Sequence, residues 1–204
     1  INSKVHKRNP LAPFTTSTLQ QTASGKFGFG ASRTMQIAQR LYQGIDIEGE
    51  TTGLITYMRT DGTNISKDAI SEFRQLIKND FGDNFLPGEP NNYAGKKAKN
   101  AQEAHEAVRP TNFEKRQVNM ESDQIKLYNL IWLRTIASQM SDAVLERTIL
   151  KISSDKYENQ FTCKGEIIQF DGFLKVYIEG IDNNDNEDSQ GLLPNLQKGN
   201  KLLS

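Results

Sequence analysis

Tyr57 and Arg59 stand where the apolar run Leu54-Ile55-Thr56-Tyr57-Met58 gives way to the polar stretch Arg59-Thr60-Asp61-Gly62-Thr63-Asn64. The run reads as a β-strand, and in extended backbone successive side chains alternate, so Tyr57, Arg59 and Asp61 share one face. A phenol beside a guanidinium suits a tyrosine attack on a phosphodiester. The planar fork of Arg59 can grip phosphate oxygens and stabilise the charge that develops on them. An ordinary phenol is ionised to only about one part in a thousand at neutral pH, so such a nucleophile needs a cation or a proton acceptor nearby. The same residues also read as a plain strand closed by a turn, because tyrosine is common in strands and Asp-Gly in turns.

A second candidate lies at His105 and Arg109. The alanine-rich stretch Ala101 to Val108 predicts a helix that Pro110 ends at Arg109, which puts the two side chains four apart on one side. A histidine next to an arginine can hold a phosphate or relay a proton. The alternative is a surface helix with Glu103, His105, Glu106 and Arg109 in solvent. Gly25 to Gly30 has neither the Walker spacing nor a dinucleotide fingerprint and reads as a mobile turn. No nucleotide-binding motif is found, which fits chemistry that uses no ATP.

Composition narrows the classes. One cysteine, Cys163, excludes an internal disulfide, and with His6 and His105 as the only histidines a zinc site of Cys and His ligands is excluded too. Cys163 sits in an alternating strand pattern and reads as a half-buried filler. Asp80, Asp83, Asp182 and Asp185 read as loop acids, so no metal site is expected within the chain. The formal net charge is zero over 204 residues. Residues 1 to 60 nevertheless carry Lys4, Lys7, Arg8, Lys26, Arg33, Arg40 and Arg59 against Asp46, Glu48 and Glu50, whereas 182 to 188 hold four acids and no base. A basic front half can follow a phosphate backbone. No long apolar run or signal-peptide pattern occurs, which fits a cytoplasmic protein without a membrane span. Ile1 and the strand-like end at Ser204 suggest a fragment of a longer protein.

The elements that must carry these residues are mainly helical at first. Thr15 to Ala23 predicts a helix, and Ser32 caps another that reaches Tyr42 and stops at Gly44. Ile45 to Thr52 reads as an acidic loop. Ser66 caps a helix through Asp80 with Ile70, Phe73, Ile77 and Phe81 on one face and Gly82 at its end, followed by a loop from Asp83 to Asn100. A further helix begins near Ser122, with Ile125, Tyr128, Trp132 and Ile136 facing the core. From Val144 the pattern turns to β: Val144 to Ser153, Asn159 to Phe170, Leu174 to Glu179, and from Lys201. The expected fold is α+β, with a helical unit over 13–141 and a β-rich unit made of 1–12 and 142–204.

The stretch around Tyr57 resembles the active-site tyrosine motif of the type IA DNA topoisomerases, on the bacterial topoisomerase I branch. Three more stretches resemble the same family in matching order: Pro13 to Ser24 (PFTTSTLQQTAS), Ala101 to Pro110 (AQEAHEAVRP) and Phe170 to Tyr177 (FDGFLKVY). The resemblance implies that Tyr57 is the nucleophile and Arg59 its catalytic partner, with His105, Arg109, Thr60 and Asp61 contacting DNA. It also implies a helical tyrosine domain joined to part of a β-rich arch, and single-stranded or underwound DNA as partner. Mg²⁺ is expected in the full-length enzyme, on ligands outside this chain, so that the chain alone is inactive. One departure is Gly62, where many members carry serine, so no hydroxyl contact is expected there. The other reading is a non-catalytic module that binds single-stranded nucleic acid, with Tyr57 stacking on a base or filling the core.

Overall fold

The computed structural model describes residues 2–47, 49–93, 105–115, 120–153 and 160–177. The fold is α+β: four α-helices, a three-stranded antiparallel sheet and a small hairpin among the described residues.

Helix α1 spans Thr16–Phe27. Thr15 caps it, its side chain accepting from the Thr18 N–H while the Thr18 hydroxyl accepts from the Thr15 N–H, a reciprocal pair that satisfies two orphan donors. The helix runs past Ala23 through Gly25 and ends at Gly28, whose φ of 66° gives the left-handed cap. The predicted turn therefore shrinks to Gly28-Phe29-Gly30, and buried Phe29 anchors it. Helix α2 spans Ala31–Gln43. Ser32 is not its cap. Gly30 is, because its extended backbone lets the helix begin two residues earlier, at Ala31.

Residues 45 to 52 form a hairpin in place of the expected loop: strand β2, Ile45–Ile47, pairs antiparallel with β3, Glu50–Thr52. β-Branched residues favour strand on both arms. Asp46 makes the turn by accepting from the Gly49 N–H at 2.9 Å, with Gly49 at φ 89°.

Helix α3, Lys67–Phe81, follows the predicted pattern: Ser66 accepts from the Ala69 N–H, Phe73 and Ile77 are buried, and Gly82 ends it. Asp80 thus lies in the last turn of a helix rather than in a loop, and Asp83 opens a short 3₁₀ turn, Asp83–Phe85. Helix α4, Ser122–Ser138, is buried almost all round in its second half and forms the centre of the helical core, with α1 and α2 packed on it. Tyr128, Trp132 and Ile136 face the core as expected. Ile125 does not and is 38% exposed, its neighbours Gln124 and Leu127 taking the buried side of that turn.

Tyr93 and Tyr128 tie loops to this core. The Tyr93 hydroxyl lies 2.9 Å from the Ser138 carbonyl and 3.0 Å from that of Pro10, and the Tyr128 hydroxyl donates to the Lys115 carbonyl at 2.8 Å. Burial pushes both phenols up from the usual 10.0 to about 12. The folded chain then keeps protons that the unfolded chain sheds near pH 10. These groups' contribution to stability is thus complete below pH 10 and lost as pH rises from there to about 12. An alkaline titration followed by tyrosinate absorbance is expected to show Tyr93 and Tyr128 ionising near that upper limit, a component lost in their phenylalanine variants.

The sheet has the order β1-β4-β5, all antiparallel. Strand β1, Asn2–Arg8, pairs with β4, Ala143–Ser153, in the register Arg8↔Ala143, and β5, Gln160–Phe170, lies on the other side of β4. Its contact with the helical core comes through Ala143 and Leu145 at the start of β4. Among the described residues β5 is an edge strand with little cover, so Cys163 is exposed rather than half-buried, beside Phe161 at 71%. Leu174 does not begin a strand. Gly172–Lys175 is a 3₁₀ turn, because Gly172 adopts φ 49° with the Asp142 carbonyl where a Cβ would stand. The expectations for 178–179, for 182–188 and from Lys201 fall outside the described residues. No described helix is long and apolar enough to cross a membrane.

Candidate active site

The Tyr57 segment is extended but is not a ladder strand. It makes one bridge, Ile55 to Pro110, and there pairing stops, because the Arg109 N–H goes to the Thr56 hydroxyl and the Leu54 N–H to the Leu41 carbonyl instead of across the ladder. Alternation nevertheless survives. Met58, Thr60 and Gly62 point inward and are buried, whereas Tyr57 is half-buried and Arg59 and Asp61 are exposed. Burial thus alternates from Tyr57 to Gly62, on a segment held by means other than a sheet.

Those means are three threonine hydroxyls, each donating one hydrogen bond and accepting another. The Thr16 hydroxyl donates to the Met58 carbonyl at 2.8 Å and accepts from the Thr60 N–H at 2.8 Å, fixing the segment to the first turn of α1. The Thr56 hydroxyl donates to the Ala107 carbonyl at 2.7 Å and accepts from the Arg109 N–H at 3.0 Å. The Thr60 hydroxyl donates to the His105 carbonyl at 3.1 Å and accepts from the Gly62 N–H at 2.9 Å. Each such bond contributes about 1 kcal/mol net, and more is lost if its backbone partner is left buried and unpaired.

The same bonds explain why residues 105–109 are extended rather than helical. Ala107 donates to the Asn64 carbonyl, Val108 to the Phe14 carbonyl, and Thr56 to the Arg109 carbonyl, so the groups a helix would use are engaged across the fold. Residues 101–104 of the predicted helix lie outside the described residues. At Gly62 a Cβ would run into the His105 carbonyl, so the absent side chain lets the two segments touch.

His105 and Tyr57 are brought together, ring centroids 5.1 Å apart and edge to face, with His105 exposed. On another side of Tyr57 stands Tyr42, the penultimate residue of α2, at 5.4 Å and also edge to face. Arg59 and Asp61 are exposed, and no described residue forms an ion pair with Arg59. Arg109 is placed differently. Its Nε donates to Glu106 at 2.7 Å and its Nη1 to the Pro110 carbonyl at 2.9 Å, leaving the side chain 13% exposed, so a phosphate there would compete with Glu106. The Thr60 hydroxyl is taken by the protein's own backbone, as described. Some of the basic front half is likewise neutralised: Arg33 pairs with Asp123, Arg40 with Glu121 at 3.3 Å, and Lys7 with Asp142 at 4.0 Å.

The sequence reading missed Tyr42, Thr16 and Thr56. Thr16 lies within the stretch Pro13 to Ser24 and Thr56 within the tyrosine motif, but nothing in the residue types separates a hydroxyl that braces backbone from one in solvent. Tyr42 is separated from Tyr57 by the hairpin, so no local spacing links the two rings.

A model of the DNA topoisomerase family matches residues 1–204. The chain is 50% identical over 198 residues to DNA topoisomerase 1 of Rickettsia prowazekii, covering 95% of this chain and 25% of that protein. It is 46% identical over 212 residues to DNA topoisomerase 1 of Streptomyces coelicolor, covering 100% of this chain and 21% of that one. The solved structure of full-length topoisomerase I from Thermotoga maritima superposes with a TM-score of 0.74 at 39% identity, over 86% of this chain and 28% of that one. The chain thus spans about a quarter of the length of these relatives. With the family model matched end to end and the fold shared with a solved member, the chain belongs to the bacterial DNA topoisomerase I family.

Proposed function

We propose that this chain carries the nucleophile of an ATP-independent type IA DNA topoisomerase, which relaxes negatively supercoiled DNA through a transient single-strand break. The observation that supports this best is the ring contact of half-buried Tyr57 with exposed His105, with Arg59 exposed on the same segment as Tyr57, which is braced from three sides. The Tyr57 oxygen attacks a backbone phosphorus, forming a 5′-phosphotyrosyl bond as the bond to the 3′ oxygen breaks, and that oxygen leaves with a proton as a 3′-hydroxyl. The hydroxyl later reverses the exchange. One phosphoester replaces another, so no external energy is required. Arg59 is exposed where it can hold the non-bridging oxygens. His105 stands against the phenol, positioned to contact the phosphate or handle its proton.

Mg²⁺ belongs to this reaction as we read it. We propose that its ligands lie outside this chain, and no step here is routed through it. Single-stranded and underwound DNA in the cytoplasm is the proposed substrate. The test uses the complete protein with Mg²⁺ and a cleavable oligonucleotide: a covalent adduct mapped to Tyr57 is expected, and an adduct at any other residue overturns the assignment. The isolated chain, given supercoiled plasmid and Mg²⁺, is expected to leave it supercoiled.

A further inference from the structure

Tyr42 takes no part in the reading above, yet the fold fixes it beside the nucleophile. Helix α2 buries Thr34, Ile37, Ala38 and Leu41, and Tyr42 is one step off that face, 41% exposed. A residue that served only the core would be covered. Its main chain is clamped to the start of the Tyr57 segment. The Leu54 N–H donates to the Leu41 carbonyl at 2.8 Å, and Gly53 passes so close that a Cβ there would come within 2.7 Å of the Tyr42 carbonyl oxygen. The two rings meet at 5.4 Å and 68°. The result is an open aromatic surface directly beside the phenol, on a rigid helix.

An exposed aromatic ring is what single-stranded nucleic acid uses for sequence-tolerant binding, since every base offers a flat face to stack on. We propose that Tyr42 is a stacking platform for one nucleobase of the single strand, next to the phosphate presented to Tyr57. Stacking there fixes the strand's distance from the Tyr57 oxygen, a positional constraint that an arginine on the phosphate alone leaves loose. The inference rests on the proposed DNA cleavage at Tyr57, and its test keeps the two apart.

The complete protein is compared with its Tyr42→Ala, Tyr42→Leu and Tyr42→Phe variants for affinity toward a single-stranded oligonucleotide. A set of oligonucleotides carrying one abasic nucleotide at successive positions around the cleavage site is measured in parallel. Tyr42→Ala is expected to weaken binding about tenfold, the loss of one base–aromatic stack. Tyr42→Leu is expected to fall with it despite its bulk, and Tyr42→Phe to restore affinity. One abasic position is expected to weaken the unmodified protein by the same factor and to cost Tyr42→Ala nothing further. Full affinity in Tyr42→Leu, or independent losses at every abasic position, overturns the platform. A matching cycle without any adduct at Tyr57 leaves the platform standing and removes the nucleophile instead.

Discussion

In the complete protein, Tyr57→Phe removes covalent capture of DNA, by at least about a thousandfold in adduct formed, while leaving noncovalent binding within a few fold. The expectation is sharp because the substitution deletes one oxygen and little else. The Tyr57 ring is held by Tyr42 at 5.4 Å and His105 at 5.1 Å, and phenylalanine keeps both contacts. The backbone on either side is held through Thr56 and through Met58 and Thr60, none of which depends on the phenol. A gel separating adduct from free oligonucleotide, read beside a binding titration, checks both halves. Equal loss of binding and capture would point to a stacking or core role for Tyr57, and undiminished capture would place the nucleophile elsewhere.

The second large effect is expected at Thr60. Replacing it with valine keeps the shape but strips the donor from the His105 carbonyl and the acceptor from the Gly62 N–H. Thr60 is only 8% exposed, so water cannot readily replace either partner. A loss of about 1–3 kcal/mol in unfolding free energy follows from leaving these groups unpaired. The functional effect is of similar size in free energy. Thr60 joins the nucleophile segment to His105, and a displacement of about 1 Å can lower the rate about a hundredfold. Denaturant unfolding and single-turnover adduct formation at saturating DNA test the two numbers, with Thr60→Ser expected to recover both. A change in DNA affinity with the saturated rate intact would instead make Thr60 a direct DNA contact.

How far the sequence is legible depends on the range over which each feature is set. Helix α3 is readable because its cap Ser66, its buried Phe73 and Ile77 and its terminal Gly82 all lie within one local pattern. The exposure of Arg59 and Asp61 between buried Met58, Thr60 and Gly62 is readable for the same reason, since alternation is a local pattern. The strand around Tyr57 and the helix around His105 mislead because their partners are distant. The ladder that Leu54 to Met58 would otherwise support is cut where the Leu54 N–H turns to Leu41 and the Arg109 N–H to the Thr56 hydroxyl, and that hydroxyl also draws the backbone of Ala107 and Arg109 out of any helix. Alanine content is a weak preference that such bonds override. Arg109 illustrates the limit for site residues. Its type suits a phosphate, but only the structure reveals that Glu106 and the Pro110 carbonyl already hold it.

The β2–β3 hairpin leaves α2 and returns to it at nearly the same point, closed by the bond between Leu54 and Leu41. Whatever lies between those two residues is therefore mechanically a side branch. Evolution can lengthen or shorten it with little entropic consequence, about 0.6 kcal/mol for each doubling. The position of Tyr57 is insulated from such drift, which makes this excursion a natural place for lineages to diverge in sequence while the segment next to it stays fixed.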